Sequence, residues 1–306
     1  SGDLIIARGI RQALERLGHS CREIVQFRSR WFWRSAAGWA GAASGSVEAL
    51  RCALRFRPDL WLTYHTYYKS PDVLGPWLHR LVGIPYVLFQ PMYGTRKRKD
   101  PRTRVGFYLN RLALKAADLA LTNNRSDLEA LARIVPRSRL GYLPPGVFPE
   151  EFRRDARAGL EVRARLGIPP AAPVLLTAAR FRADVKYDSL LYLFAALARL
   201  AAQGVDFVLV VVGDGPMEAE LKRSAHDLLG SRVHFAGRVA RERMARFYSA
   251  ADLFVFPGIR ESLGMVYLEA QACGLPVVAL ANPGTSQVVH PGQTGLLVPE
   301  DDGASL

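Results

Sequence analysis

The sequence predicts an α/β protein with two Rossmann-like domains, each built around a doubly wound parallel sheet. In the second half of the chain, short apolar segments alternate with stretches of helical periodicity, which is the pattern of βαβ units and of a parallel sheet. The 306 residues, 49% of them hydrophobic, suffice for two domains with buried cores. A segment rich in proline lies near residue 150, so we assign residues 1–150 to an N-terminal domain and residues 151–306 to a C-terminal domain.

The excess positive charge is confined to the first domain. Residues 1–150 hold 24 Lys and Arg against 11 Asp and Glu, whereas residues 151–306 hold 17 of each. This asymmetry predicts a polyanionic partner or an anionic membrane surface for the first domain. The three cysteines form no Cys-x-x-Cys pair and the six histidines are dispersed, so we expect a cytoplasmic protein with reduced thiols and no metal site.

The first domain begins with a helix that Gly18 ends, because apolar residues recur at helical spacing at Ile6, Ile10, Leu14 and Leu17. Residues 23–27 are then predicted as a strand. In a doubly wound sheet the first strand lies in the middle, yet no strand precedes this helix. We therefore expect the chain to be a fragment that lacks an initial strand before Ser1.

Residues 31–46 are predicted as a loop that begins with Trp31-Phe32-Trp33. These aromatic side chains either pack under the loop, which we favour, or anchor the domain at a membrane interface. Strands are predicted at residues 60–64, 84–90, 118–122 and 140–143. His65 follows the first of these, at the carboxyl end where open α/β sheets bind ligands.

A basic run, six cations in nine residues, occupies residues 96–104. Such a run is usually a solvated loop. Because the whole domain is basic, we favour contact with anionic lipid or a phosphorylated acceptor through the cluster Arg96, Lys97, Arg98 and Lys99. No zinc-finger, homeodomain or RNP-like pattern is present, so we expect no nucleic-acid partner.

The second domain is predicted to contain strands at 173–179, 206–212 and 232–235, separated by helices near 186–203, 216–229 and 240–250. Arg180 follows the first strand and Lys186 begins the next helix; cations in such positions are usually solvated. Gly213-Asp214-Gly215 follows the second strand. It is not a dinucleotide fingerprint, because Glu218 stands where the last glycine belongs.

Residues 252–279 form a further βαβ unit. A strand, 253–256, is broken by Pro257-Gly258, a helix ends at Gly274, and the next strand starts at Val277. Glu261 stands just before the helix and Glu269 within it, about 12 Å apart if the segment is helical throughout.

A nucleoside diphosphate sugar has a layout that matches this unit. Its ribose and its sugar each suit one carboxylate, and its diphosphate suits the free amides at the helix start, those of Ser262, Leu263, Gly264 and Met265. The alternative is a capping Glu261 and a solvated Glu269.

Residues 252–279 closely resemble the E-x7-E signature of retaining glycosyltransferases of family 4, which have the GT-B fold. The departures are Gly258 for Ser, Leu263 for Phe and Gln271 for Met. Residues 143–152 also resemble the family's crossing between domains. The resemblance implies two domains facing a cleft, an acceptor held by the first, a nucleotide sugar held by the second, no cofactor, and further helices beyond Leu306.

The resemblance also implies roles for individual residues. Glu261 would hold the donor sugar and Glu269 the ribose, with Arg180 and Lys186 on the diphosphate. Gly213 and Gly215 would border the nucleotide, Arg238 and Val239 would lie against the base, and the amides of residues 262–265 would meet the phosphates. His65 would line the cleft near the donor sugar.

We therefore predict a retaining, metal-independent glycosyltransferase that moves a sugar from a nucleoside diphosphate donor to a lipid-linked or saccharide acceptor, in envelope glycolipid or polysaccharide synthesis. It would be cytoplasmic, or peripheral on the inner face of the plasma membrane. Two alternatives stay open. One is glucan extension of the glycogen- or starch-synthase type, although the Lys-x-Gly-Gly loop of those enzymes is not seen. The other is a catalytically inactive GT-B binding module.

Overall fold

The computed structural model of the protein describes residues 2–24, 27 and 29–299. It divides into two compact units, residues 1–144 and 145–306, with the boundary between Pro144 and Pro145. Within the described residues, no helix is both long and apolar enough to cross a membrane.

The first unit has a four-stranded parallel sheet with the order β1-β2-β3-β4. Strand β2 is its most buried member, because all four of its side chains are covered. Since the strands are parallel, their carboxyl ends lie at one edge of the sheet. The elements of the unit are α1 (Gly2–Arg16), α2 (Ala36–Phe56), β1 (Trp61–Tyr64), α3 (Gly75–Val82), β2 (Tyr86–Phe89), α4 (Pro101–Ala116), β3 (Leu119–Thr122), α5 (Arg125–Leu131) and β4 (Leu140–Tyr142).

The strand predicted at residues 23–27 is not formed by the residues that the structure describes there. Glu23, Ile24 and Phe27 lie in no strand, while residues 25 and 26 are outside the described part of the chain. A strand requires a hydrogen-bonded neighbour. Phe27 instead packs its ring edge-on against Phe32, with ring centroids 5.5 Å apart.

The prediction of a loop over residues 31–46 is wrong. A short 3-10 turn, Phe32–Arg34, leads into the 21-residue helix α2, whose N-cap Ser35 accepts a hydrogen bond from the amide of Gly38. Glycine within α2 serves close packing. A Cβ at Gly38 would lie 1.9 Å from the carbonyl oxygen of Phe32.

The second unit has a six-stranded parallel sheet, and the predicted alternation of strands and helices is confirmed. Its strand order, β7-β6-β5-β8-β9-β10, is that of a doubly wound sheet. The order of the strands, not their direction, reverses between β5 and β8. Its elements are α6 (Ala156–Arg165), β5 (Val174–Ala178), α7 (Val185–Ala202), β6 (Val208–Val212), α8 (Glu218–Leu229), β7 (Val233–Gly237), α9 (Arg241–Ala250), β8 (Leu253–Val255), α10 (Met265–Ala272), β9 (Val277–Ala281) and β10 (Gly295–Pro299).

Fully buried side chains from the sheet and its helices fix the frame of the second unit. Leu176 of β5, Phe254 of β8 and Phe194 of α7 belong to one continuous core. Burying such a side chain contributes about 1.5–3 kcal/mol relative to leaving it exposed. The loops that follow β5 and β8 therefore start from rigid strands on either side of the reversal.

Candidate active site

The loop between β8 and α10 turns sharply at residues with left-handed backbone. Gly258, Arg260 and Gly264 have φ values of 67°, 51° and 68°. Because Gly264 leaves helical geometry, α10 begins only at Met265 and not directly after Glu261, as the sequence predicted. Glu261 is therefore a loop residue, and the separation of about 12 Å for a continuous helix does not apply.

Buried polar side chains from other elements fix this loop. The Tyr267 hydroxyl donates to the carbonyl of Phe256 at 3.1 Å, and Asn282 Nδ2 donates to the carbonyl of Gly258 at 2.8 Å. Ser189 Oγ accepts from the amide of Ile259 at 3.0 Å. Sequence reasoning missed Tyr267, Asn282 and Ser189 because their partners are distant in the chain.

Glu261 and Lys186, assigned separately from the sequence, are brought together. Lys186 Nζ donates to Glu261 Oε2 and also lies over the Phe256 ring, 5.0 Å from its centroid. The other carboxylate oxygen accepts from the amide of Ser262 at 3.1 Å. The Glu261 side chain is only 10% exposed. The site thus combines a cation suited to a phosphate with a carboxylate suited to hydroxyl groups.

The amides that follow Glu261 differ in their hydrogen bonding. That of Ser262 is used by Glu261, whereas within the described chain those of Leu263 and Gly264 have no acceptor. Met265 is the first residue of α10, and its amide likewise has none. Loop and helix-start amides of this kind can bind a phosphate group.

Glu269, on α10, is buried and accepts hydrogen bonds from two donors. Its Oε1 accepts from Arg241 Nη1 and its Oε2 from the Tyr248 hydroxyl at 2.9 Å. Burial raises the pKa of this carboxyl, while the charge of Arg241 and the hydrogen bond from Tyr248 lower it in part. A carboxylate has about four acceptor positions, so the two donors leave capacity for a further hydroxyl.

Arg241 connects Glu269 to the first residues of the second unit. Its Nη2 lies 3.4 Å from Glu151 Oε2, and its guanidinium lies over the Phe152 ring, 4.8 Å from the centroid. Sequence reasoning missed Arg241, because an arginine at the start of a helix carries no local signal of such a contact. Arg241 therefore links Glu269, the carboxylate assigned to the ribose, to the short 3-10 turn Pro149–Phe152.

The loops after β5 and β6 lie against one another. The amide of Phe181 donates to the carbonyl of Asp214 at 2.9 Å. A Cβ at Gly213 would lie 1.9 Å from the carbonyl oxygen of Ala179, and one at Gly215 would lie 2.5 Å from that of Phe181. The two glycines therefore allow the loop after β6 to pack beneath the loop that carries Arg180.

The remaining assigned residues of this unit lie at the ends of β5 and β7. Arg180 and Arg238 are exposed, Val239 is half-buried, and within the described chain neither arginine has a carboxylate partner. The Gly213 amide donates to the carbonyl of Gly237 at 2.9 Å, which brings Arg238 and Val239 next to the loop after β6. The donor-binding assignment of these residues stays a prediction.

His65, in the first unit, follows β1 with a φ of 61°, and Gln90 follows β2 with a φ of 53°. Left-handed backbone at residues other than glycine is strained and occurs preferentially at functional sites. His65 Nδ1 is buried, with no partner among the described residues. Burial raises the pKa of the nearby Asp127 carboxyl, and the charge of His65 partly offsets this rise.

Gln90 is held in a polar cluster at the same edge of the sheet. Its Oε1 accepts from the Tyr64 hydroxyl at 2.8 Å, and its Nε2 donates to Asn123 Oδ1. His65, Gln90 and Asn123 thus follow three neighbouring strands of one sheet. Residues 90 and 123 carried no clear sequence signal, although amide side chains at adjacent strand ends are well suited to bind hydroxyl groups.

Comparison with known proteins gives a family match for the second unit. Residues 172–306 match the family model described as glycosyl transferases group 1. The chain is 30% identical, over 269 residues, to D-inositol 3-phosphate glycosyltransferase 2 of Catenulispora acidiphila, covering 83% of this chain and 62% of that protein. It is 36% identical, over 181 residues, to the GDP-mannose-dependent alpha-(1-6)-phosphatidylinositol monomannoside mannosyltransferase of Mycobacterium tuberculosis, covering 56% and 45%. The chain thus spans only part of the length of these curated relatives.

A solved structure shares the architecture of both units. Sucrose-phosphate synthase from Thermosynechococcus elongatus superimposes with a TM-score of 0.64 and 26% sequence identity, over 87% of this chain and 66% of that one. Together with the two parallel α/β sheets, this similarity confirms the predicted GT-B fold class.

Proposed function

Since residues 172–306 form a glycosyl transferases group 1 domain, we propose that the protein is a retaining glycosyltransferase of family 4 that takes its sugar from a nucleoside diphosphate. The observation that carries this proposal is the pairing of Lys186 with Glu261 beside the amides of residues 263–265, which have no acceptor among the residues that the structure describes. A cation, a carboxylate and phosphate-binding amides at the reversal point of a doubly wound sheet match the diphosphate and the hydroxyl groups of such a donor.

Lys186 and Arg180 would act on the leaving group. The bond between the anomeric carbon and the diphosphate oxygen breaks, and the diphosphate leaves with additional negative charge. A lysine ammonium, an arginine guanidinium and backbone amides aimed at that charge lower the barrier, because they stabilise it more in the transition state than in the ground state. Arg180 precedes α7 and Lys186 lies in its first turn, so the positive end of the α7 dipole adds to this effect.

Glu261 would hold the donor sugar. Its carboxylate can accept hydrogen bonds from sugar hydroxyl groups, and its side chain is 10% exposed, so water competes little with them. On the front-face route, the acceptor oxygen bonds to the anomeric carbon on the face that the diphosphate leaves. The acceptor proton passes to an oxygen of the leaving diphosphate. Because attack and departure occur on the same face, the anomeric configuration is retained without a protein nucleophile.

Glu269 would bind the ribose through the acceptor capacity that Arg241 and Tyr248 leave open. The two donors orient its carboxylate, so little side-chain entropy is lost when the ribose binds. The relative named as GDP-mannose-dependent makes a guanosine diphosphate sugar the first donor to test.

The acceptor would be held by the first unit, near His65. The relatives are named for action on D-inositol 3-phosphate and on a phosphatidylinositol mannoside, so we propose an acceptor with a polyol or sugar hydroxyl, free or lipid-linked. The exposed cations Arg96, Arg98 and Lys99 would hold the protein on the anionic inner face of a membrane, where such lipids and envelope precursors occur.

Donor hydrolysis by the intact protein tests the proposal. Incubation with GDP-mannose, UDP-glucose and UDP-N-acetylglucosamine, without acceptor, should release the nucleoside diphosphate slowly from one of them. Nuclear magnetic resonance of the released sugar should show that the first-formed anomer keeps the donor configuration. Tight nucleotide binding without hydrolysis or transfer, for any donor and for inositol acceptors, would indicate an inactive binding module. Inverted product would contradict the retaining mechanism.

A further inference from the structure

A single buried side chain joins the two segments that begin with His65 and Gln90. Asn110 lies in the interior of α4 and is 2% exposed. Its Oδ1 accepts from the Thr66 hydroxyl at 2.8 Å, and its Nδ2 donates to the carbonyl of Met92 at 2.8 Å. Thr66 directly follows His65, and Met92 is the second residue after Gln90. Asn110 thus contacts the segment after β1 with one end of its amide and the segment after β2 with the other.

The two contacts of Asn110 require an amide. The Met92 carbonyl can only accept, and Thr66 Oγ1 already accepts from the amide of Asp72 at 2.9 Å, so its proton is free for Asn110. A carboxylate at position 110 would place an acceptor against the carbonyl, and an apolar side chain would leave both partners unpaired. Asparagine is also disfavoured inside a helix, and its burial costs free energy unless it is hydrogen-bonded. These two contacts therefore account for an asparagine at a position where helix stability favours another residue.

The segments that Asn110 joins run side by side beyond the ends of β1 and β2. The His65 amide donates to the carbonyl of Phe89 at 2.8 Å, and the Met92 amide donates to the carbonyl of Thr66 at 2.9 Å. His65 and Gln90 both have left-handed backbone. Such strain at residues other than glycine persists only where surrounding contacts hold it. Asn110 supplies a contact to each segment directly beyond its strained residue.

The position of the His65 ring depends on its own segment. Its Nδ1 is buried and has no hydrogen-bond partner among the residues that the structure describes. The ring packs against those of Tyr64 and Tyr67, with centroids 5.8 and 4.9 Å away, and both tyrosines belong to the same stretch of chain. A displacement of this stretch would therefore carry the imidazole with it.

We propose that Asn110 is a positioning residue for the transfer reaction, which acts through His65 and Gln90 by holding the segments after β1 and β2 in one arrangement. This inference rests on the proposed function, because it assumes that these two residues take part in the reaction. Asn110 is too deeply buried to contact a substrate itself. Gly106, one turn earlier on α4, allows the helix to approach, because a Cβ there would lie 2.0 Å from the carbonyl oxygen of Tyr68.

Three variants of the intact protein separate a positioning role from a merely structural one. Asn110→Ala removes both hydrogen bonds, and Thr66→Val removes the bond between the two side chains while keeping the shape of the residue. Tyr86→Phe is the matched control, because it removes another buried hydrogen bond, from the Tyr86 hydroxyl to Asp72 Oδ2 at 2.7 Å, at the amino end of β2. The midpoints of thermal unfolding should fall by similar amounts in all three variants.

Donor turnover should distinguish the variants. It should fall about tenfold or more in Asn110→Ala and in Thr66→Val, with the KM for the donor changed less than about twofold, because the second unit holds the nucleotide. Tyr86→Phe should stay within about twofold of the unaltered protein. In a protein that carries His65→Ala and Gln90→Ala, adding Asn110→Ala should cost less than about threefold, because its effect is exerted through those residues. Turnover is the release of nucleoside diphosphate, with and without D-inositol 3-phosphate. Equal losses in Asn110→Ala and Tyr86→Phe would overturn the proposal.

The imidazole resonance of His65 tests the geometry independently of turnover. Nuclear magnetic resonance of the intact protein, with the signal assigned by its loss in His65→Ala, should show a shifted His65 resonance in Asn110→Ala and in Thr66→Val but not in Tyr86→Phe. If Asn110→Ala does not fold, Thr66→Val decides the comparison. An unshifted resonance in the folded variants would overturn the proposal whatever the rates. A shifted resonance without nucleoside diphosphate release from any donor would count against the glycosyltransferase proposal alone.

Discussion

Lys186 Nζ donates to Glu261 Oε2 across 75 positions of the chain. Lys186 follows the loop after β5, and Glu261 lies in the loop after β8. These two strands are neighbours, and the order of the strands in the sheet reverses between them. The ion pair is thus a consequence of the doubly wound topology, which brings the carboxyl ends of these two strands together. It joins the residue assigned to the diphosphate with the residue assigned to the sugar.

Replacing Glu261 by Gln in the intact protein should lower turnover by about two orders of magnitude or more, because a charged hydrogen-bond acceptor for the sugar is lost in the transition state. Nucleotide binding should stay nearly unchanged. Turnover is measured as nucleoside diphosphate release, and binding by calorimetry with the same nucleotide. Glu218→Gln, which alters a half-buried glutamate paired with Lys222, is the matched control and should keep full activity. Full activity in Glu261→Gln would refute the assignment of this residue.

Replacing Glu269 by Gln should instead weaken nucleotide binding. The ribose would lose a charge-assisted hydrogen bond of about 1.5–3 kcal/mol, which corresponds to a dissociation constant raised roughly 10- to 150-fold. Tyr248→Phe removes only the donor to Oε2 and leaves the charge, so its effect should be below about fivefold. Calorimetric titration of the two variants with GDP and with UDP measures both changes in affinity. Unchanged affinity in Glu269→Gln would restrict this residue to a structural role.

Glu269 should also make stability depend on pH. Burial raises the pKa of its carboxyl in the folded protein, so the fold binds this proton more tightly than the unfolded chain does. Its contribution to stability is full below the ordinary glutamate pKa of about 4.3 and decreases as pH rises through the raised folded pKa. The free energy of unfolding, unaltered protein minus Glu269→Gln, should therefore be larger at pH 4 than at pH 7. Urea unfolding at both pH values measures it, and an increase with pH would mean that the Arg241 pair outweighs burial.

The left-handed glycines of the loop before α10 should not tolerate alanine. At Gly264 a Cβ would lie 2.3 Å from the Tyr267 ring, and at Gly258 it would lie 2.2 Å from the Tyr267 hydroxyl. Gly274 has nearly the same φ, 69°, but a Cβ there meets nothing within 4 Å. Gly274→Ala should cost only the backbone strain, about 1–2 kcal/mol, and Gly264→Ala should cost about 1–3 kcal/mol more. Equal losses in chemical unfolding would rule out the steric cause.

Much of the second unit could be predicted from the sequence because its signals are local. Apolar segments of strand length, breakers such as Pro257-Gly258 and helical spacing fixed the order of elements to within a few residues. Parallel topology then follows from the βαβ pattern. The start of α10 was predicted too early, directly after Glu261, because no local pattern showed that Gly264 has left-handed geometry and that the helix begins at Met265.

Contacts between distant residues could not be predicted. The pairing of Arg241 with Glu269 and the hydrogen bond from Ser189 to the loop amide of Ile259 depend on how elements pack, which no local pattern records. The wrong prediction of a loop at residues 31–46, where α2 forms, has a different physical cause. Glycine favours loops by its conformational freedom, but Gly38 and Gly41 lie within a helix where small residues permit close packing.

The exposed part of the basic cluster should hold the protein on anionic membranes. Arg96, Arg98 and Lys99 are exposed, and within the described chain they have no carboxylate partner. Attraction to a bilayer is screened over about 8 Å at physiological salt, so binding to phosphatidylglycerol vesicles should weaken steeply as salt rises.

Replacing the three residues by Ser should reduce the partition coefficient about fivefold for each cation removed. Lys97→Gln should reduce it less, because Lys97 is half-buried against Tyr68. The measurement is co-sedimentation of the intact protein with anionic and neutral vesicles over a salt series. Equal binding to both vesicle types, or no binding to either, would assign the positive charge of this unit to the acceptor alone.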